Sequence, residues 1–206
     1  MGREEIWNSL THLIGFLAAV AGLVVLVIIA ARQGDPWKIV SFCLYGASLA
    51  LLYASSTLYH SLQGPIRKIF RRLDHYAIYL LIAGTYMPFV LVTLRGGWGW
   101  SLFGVIWGLA ILGIGLELLL RKGPRVFSVV VYLAMGWLML VAIYPLFQAL
   151  SLKGLIGLFL GGLFYTVGVV FFSMEGRFRY AHSIWHLFVL LGSVSHYLVI
   201  LFYVAK

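Results

Sequence analysis

The sequence predicts an all-α integral membrane protein: one seven-helix transmembrane domain over residues 1–206, with the N-terminus cytoplasmic and the C-terminus outside. Three observations predict it. Of 206 residues, 63% are hydrophobic and 10% charged, with a mean hydropathy of +1.01. Apolar runs of about 20 residues, enough for a helix to cross the hydrocarbon core, recur along the whole chain. The charges that remain sit between those runs and are shared unequally between the two ends of the spans. Alternating ten-residue strand patterns are absent, which excludes a barrel.

The first segment, Leu10–Ala31, exceeds the roughly 7–15 apolar residues of a signal-peptide core, and Glu4 and Glu5 spoil the basic leader, so it reads as a retained helix. Gly34-Asp35-Pro36-Trp37 supplies turn chemistry before the second segment, Ile39–His60. That segment holds Cys43, the only cysteine, which excludes an intrachain disulfide and reads as a small apolar core residue. Gly64-Pro65 and Gly96-Gly97 bracket the third, Leu73–Leu94, leaving Arg67-Lys68-Ile69-Phe70-Arg71-Arg72 as a basic loop. The fourth, Trp98–Leu120, ends at Gly123-Pro124, and Val126–Leu150 follows. Pro88 and Pro145 should kink the spans that contain them. Leu155–Phe172 and His182–Val204 complete the set. Small residues four apart (Gly15 and Ala19, Ala18 and Gly22, Gly104 and Gly108, Gly157 and Gly161) would let helices approach closely. Trp7, Trp37, Trp98 and Trp100 fall at span ends, where indole rings favour the headgroup layer.

A net charge of +9 raises the question of nucleic acid, but the charges lie in short connections and report orientation instead. Ten basic residues fall on the side of the N-terminus (Arg3; Arg67, Lys68, Arg71 and Arg72; Arg121, Lys122 and Arg125; Arg177 and Arg179) against five on the other, Arg32, Lys38, Arg95, Lys153 and Lys206. The positive-inside rule then places the N-terminus in the cytoplasm of a protein of the inner (plasma) membrane. Anionic lipid is a secondary partner for the Arg67–Arg72 stretch.

That orientation brings a polar set to one membrane level. The second span ends at His60, the third begins with Asp74, and the seventh begins with His182 and His186. Residues four apart share a helix face, so His182 and His186 can converge on one ion, and Ser56 lies one turn deeper than His60 on the same face. Three neutral imidazoles leave one tetrahedral position open, the ligand count of a catalytic zinc centre. Water there would have its pKa brought down to about 7, with Asp74 as general base or water-holder. Glu5, Asn8 and His12, with Thr11 beside them, recur on one face of the first helix. They read as a network pinning that helix, or as groups that orient the metal ligands from behind or line an entry to the site. His196 lies ten residues beyond His186, about 15 Å along the helix, too far for the same ion, and reads as a core hydrogen-bonding residue. His75 points about 100° away from Asp74. Glu117 and Glu175 read as interfacial ion pairs or water-facing groups.

The ordered set Glu5-x2-Asn8-x2-Thr11-His12, Ser56-x3-His60, Asp74 and His182-x3-His186 resembles the progestin and adipoQ receptor family, specifically its bacterial hemolysin III branch. Tyr76, Tyr79 and Gly84-Thr85-Tyr86-x-Pro88 are similar too, and the resemblance covers nearly the whole chain. It implies seven spans with the N-terminus inside, and zinc held by His60, His182 and His186, with Asp74 contacting the water and Ser56 close by. The related adiponectin receptors and alkaline ceramidases imply hydrolysis of a ceramide-like lipid amide. The leading expectation is therefore a zinc-dependent hydrolase acting on a membrane-lipid amide or ester. A membrane-homeostasis regulator or receptor with structural zinc is the alternative, ahead of a channel, transporter or cytolysin.

Overall fold

The computed structural model describes residues 2–120 and 125–206, so Arg121, Lys122 and the Gly123-Pro124 turn lie outside the described residues. Among those described, seven helical stretches are long and apolar enough to cross a membrane.

The first helix, α1 (Arg3–Gln33), starts seven residues before the expected apolar run because Glu4 and Glu5 complement its positive N-terminal end. Its 31 residues, at about 1.5 Å each, make roughly 46 Å, well beyond a hydrocarbon core of about 30 Å. Gly34 ends it in the left-handed region (φ 66°), where its N–H reaches the carbonyls of Ala30 and Ala31. Helix α2 (Pro36–Ser61) follows at once, with Pro36 in the first turn and the Asp35 carboxylate accepting from the N–H groups of Trp37 and Lys38.

Helix α3 (Pro65–Pro88) corrects the sequence reading. The basic stretch expected as a loop is helical, opened by Pro65. Ile66, Ile69, Phe70 and Leu73 follow the helical apolar period, while the arginines and lysine occupy the intervening positions. Average hydropathy hides such a helix; periodicity does not. Past Pro88 the backbone loosens into a π-type turn over Phe89–Thr93, closed by Leu94 N–H to Phe89 O at 2.7 Å.

Helix α4 (Gly97–Leu120) precedes a broken fifth span: α5 (Arg125–Trp137), a 3₁₀ stretch over Leu138–Ala142, and α6 (Ile143–Ala149). Pro145 cannot donate to the carbonyl four residues back, which matches the break just upstream of it. Ser151 caps α7 (Leu152–Ser173) through Gly154 N–H, and α8 (Ala181–Val199) runs into a second π-type turn, Ile200–Val204.

Spans pack in sequence order, α1 on α2, α2 on α3, α3 on α4 and α7 on α8, and the last closes on the first through α8 and α1. The second and third spans form the centre, with 56% and 61% of their apolar windows buried, against 17% for the fifth and sixth. The exterior is apolar: Leu17, Ile111, Leu112 and Phe147 face outward, as lipid-facing side chains do. Cys43 faces outward as well, correcting its placement in the core; a small apolar group loses nothing by facing lipid. Gly104 and Gly108 have open space where a Cβ would stand, so that pair does not serve close packing. Gly161 does: a Cβ there would come within 2.2 Å of the His196 ring.

Candidate metal centre

Two helices deliver the expected histidines to one point. His60 ends α2, while His182 and His186 occupy the first two turns of α8, one turn apart on one face. One ligand nitrogen from each lies within 4.8 Å of the other two. His60 and His186 are almost fully buried, and the ring centroids stand 5.0 Å (His60 to each partner) and 4.6 Å (His182 to His186) apart.

Groups behind the rings fix which nitrogen faces inward. His60 Nδ1 is 2.6 Å from a Glu5 carboxylate oxygen, and a carboxylate can only accept, so Nδ1 carries the proton and Nε2 the lone pair. His186 Nδ1 faces the Asn8 carbonyl at 3.2 Å and Thr11 Oγ1 at 3.4 Å. The Thr11 hydroxyl proton is directed to the carbonyls of Trp7 and Asn8, so His186 Nδ1 is again the donor and its Nε2 turns inward. His182 Nδ1 lies 3.7 Å from Glu175, and its Nε2 stands 3.2 Å from His60 Nε2. Inward lone pairs this close repel unless a cation or a proton lies between them. The donor set therefore could hold a metal ion, with the His60 and His186 rings hydrogen-bonded on their far side.

The α1 motif supplies that orientation. Glu5 and Asn8 hold the His60 and His186 rings, and Arg67 pairs with Glu5 from the first turn of α3. The Asn8 side-chain oxygen accepts from Ser183 at 2.5 Å, tying α1 to the helix that carries the other two histidines. His12 takes a different place. It makes no hydrogen bond to a ligand but stacks on His186 (centroids 3.5 Å apart, planes 10° apart) with its edge toward Tyr53.

A cavity of about 130 Å³ opens beside the cluster. Ser56, Asp74, His12, His182 and His186 line one end of it, and His75 also reaches its wall. Ser56 is fully buried, and its hydroxyl faces the Asp74 carboxyl without reaching hydrogen-bond geometry. Further along, the wall is apolar and aromatic, with Tyr86, Trp137 and Tyr165, and it extends to His196. His196 is the core hydrogen-bonding residue expected, held to Leu158 O at 3.0 Å, and no member of the cluster.

Three groups take partners that sequence reasoning did not assign them. Glu175 turns toward His182. Glu117 accepts hydrogen bonds from Tyr79, Ser128 and Tyr132, so it is taken up by a hydroxyl cluster between helices. Arg67 anchors Glu5 across 62 residues of sequence. No local pattern signals any of them, although Ser183, adjoining His182 in an otherwise apolar helix start, was a readable hint.

The sequence profile of the haemolysin-III related family matches residues 2–197. The chain is 47% identical to hemolysin-3 of Bacillus cereus, over 98% of its own length and 92% of that protein's. It is 46% identical to the hemolysin-3 homolog of Bacillus subtilis, over 99% and 96%. It also shares 30% identity with human monocyte to macrophage differentiation factor, over 96% of this chain and 83% of that one. With seven apolar spans among the described residues and the histidine cluster within that match, the chain belongs to the haemolysin-III related family of multi-pass membrane proteins.

Proposed function

We propose that this protein is a zinc-dependent hydrolase of a membrane-lipid amide or ester, with its N-terminus and metal centre on the cytoplasmic side of the inner membrane. One observation carries the reading: three imidazoles, two of them hydrogen-bonded at their outer nitrogens and the third with Glu175 3.7 Å from its own, turn their inner faces together at the wall of an apolar cavity that also holds Asp74 and Ser56. Three protein ligands leave a coordination position for chemistry, whereas a closed structural zinc site uses four. The excess of basic residues on the N-terminal side supports the orientation.

Zinc bound there would supply Lewis acidity toward water and an acyl oxygen. The residues do the rest. The apolar wall receives the acyl chain from the bilayer and excludes bulk water. Ser56 hydrogen-bonds the acyl oxygen, which becomes more basic as water adds to the acyl carbon. Asp74 takes the proton lost by that water. As the C–N or C–O bond breaks, Asp74 returns the proton to the departing amine or alkoxide, leaving a fatty acid and an amine or alcohol.

Metal analysis of the purified protein, paired with a lipid panel, tests this. Wild type should carry one zinc, His186→Ala should lose it, and Asp74→Asn should keep the metal while losing hydrolysis. Zinc content unchanged in His186→Ala would refute the metal centre. Asp74→Asn with full hydrolysis would refute the assigned chemistry.

A further inference from the structure

His12 is a buried histidine against the cluster that no hydrogen bond explains. It is 3% exposed, and neither ring nitrogen has a hydrogen-bond partner among the described residues. An imidazole always carries at least one N–H, and a buried donor left unpaired is costly, so such a group calls for a partner that the protein itself does not supply. The ring cannot turn aside, because it is clamped between the face of His186 and the Tyr53 ring. It lines the same cavity as Ser56 and Asp74. On α2, Tyr53, Ser56 and His60 stand at positions i, i+3 and i+7 of one face. His12, stacked on His186 and packed on Tyr53, therefore lies directly against the metal ligands, in the wall of the cavity that also carries the buried Ser56 hydroxyl, which is unpartnered among the described residues.

We infer that His12 is a substrate-contacting residue, whose neutral N–H donates to the acyl oxygen of a ligand in the metal's open position, acting with Ser56 as a two-donor cradle. This rests on the hydrolase reading and adds a specificity to it. The cradle favours ligands that place a carbonyl or carboxylate oxygen beside the metal, over ethers and simple alcohols that offer no such acceptor.

The test uses cobalt-substituted full-length protein in detergent, with an alkyl hydroxamate as probe, whose carbonyl oxygen can reach the cradle while its other oxygen binds metal. Absorption of the cobalt centre reports the ligand shell, and its change on titration reports probe affinity. His12→Phe keeps a flat ring in the stack but removes the N–H; it should leave the cobalt spectrum intact and weaken the probe about tenfold. His12→Asn and His12→Gln place an amide N–H near the Nδ1 or Nε2 position, and one of them should recover most of that loss. If His12→Phe does not accumulate, His12→Leu replaces it in the same comparison. Unchanged probe affinity in the Phe or Leu variant would overturn the inference. So would an altered cobalt spectrum with probe affinity of the loaded protein preserved, which would make His12 a support for His186 alone. Wild type that takes up no metal would instead bring down the hydrolase reading, and this inference with it.

Discussion

Glu5 offers the most quantitative handle on the metal centre. Its carboxylate lies 2.6 Å from His60 Nδ1, a charge-assisted contact that holds the ring and makes its inner nitrogen a stronger donor. Glu5→Gln keeps size and one acceptor oxygen but removes the charge. Loss of such an outer partner weakens metal binding by about 10–100-fold, or roughly 1.4–2.8 kcal/mol. Arg67, which holds Glu5 from the far side, is 37% exposed and screened by water, so Arg67→Ala should cost well under 1 kcal/mol. Competitive zinc titration against a chromophoric chelator, in detergent, measures both. The decisive comparison is a double-mutant cycle: if Glu5 acts through His60, Glu5→Gln should add little to the deficit of His60→Ala. Fully additive losses, or wild-type affinity in Glu5→Gln, would refute the argument that the α1 carboxylate works by orienting His60.

Other outcomes follow from the packing and from the donor set. Gly161→Ala would push a methyl against the His196 ring and should destabilise by about 1–3 kcal/mol, whereas Gly108→Ala enters open space and should leave the melting temperature unchanged or raised, both read by thermal unfolding in detergent. Tyr86→Phe removes a hydroxyl that donates to Met135 O at 2.6 Å and accepts from Met139 N–H at 2.9 Å, where the fifth span breaks; a loss of about 1–3 kcal/mol in the same assay is expected. Zinc affinity should fall as the solution is acidified, because protons compete for the lone pairs the metal needs; equilibrium dialysis over a pH series checks it, and affinity constant down to strongly acidic pH would contradict a histidine donor set.

Much of this was legible from residue spacing. The seven spans follow from apolar runs longer than any soluble helix needs, and the histidine cluster follows from one i, i+4 pair plus a topology that returns His60 to the same level. The failures have physical reasons. The first two turns of α3 are helical despite four basic side chains, because helix formation there rests on periodicity that average hydropathy cannot register. Cys43 was misplaced because in a bilayer an apolar side chain gains little by facing inward, so composition does not tell the inner face of a span from the outer one. Glu117 takes its partners from other helices and Glu175, in the connection before α8, reaches a histidine seven residues on, and no helical period encodes either contact.

The ring closure of α8 on α1 has a consequence for how the protein is made. Glu5 and His60 can meet once the first two helices have left the ribosome and paired in the bilayer, but His182 and His186 arrive only with α8. The anchor for His186 is the Asn8 carbonyl, 178 positions earlier in the chain. A nascent chain without α8 therefore carries one of the three histidines, and a metal held by all three would mark a chain in which α8 has already closed on α1.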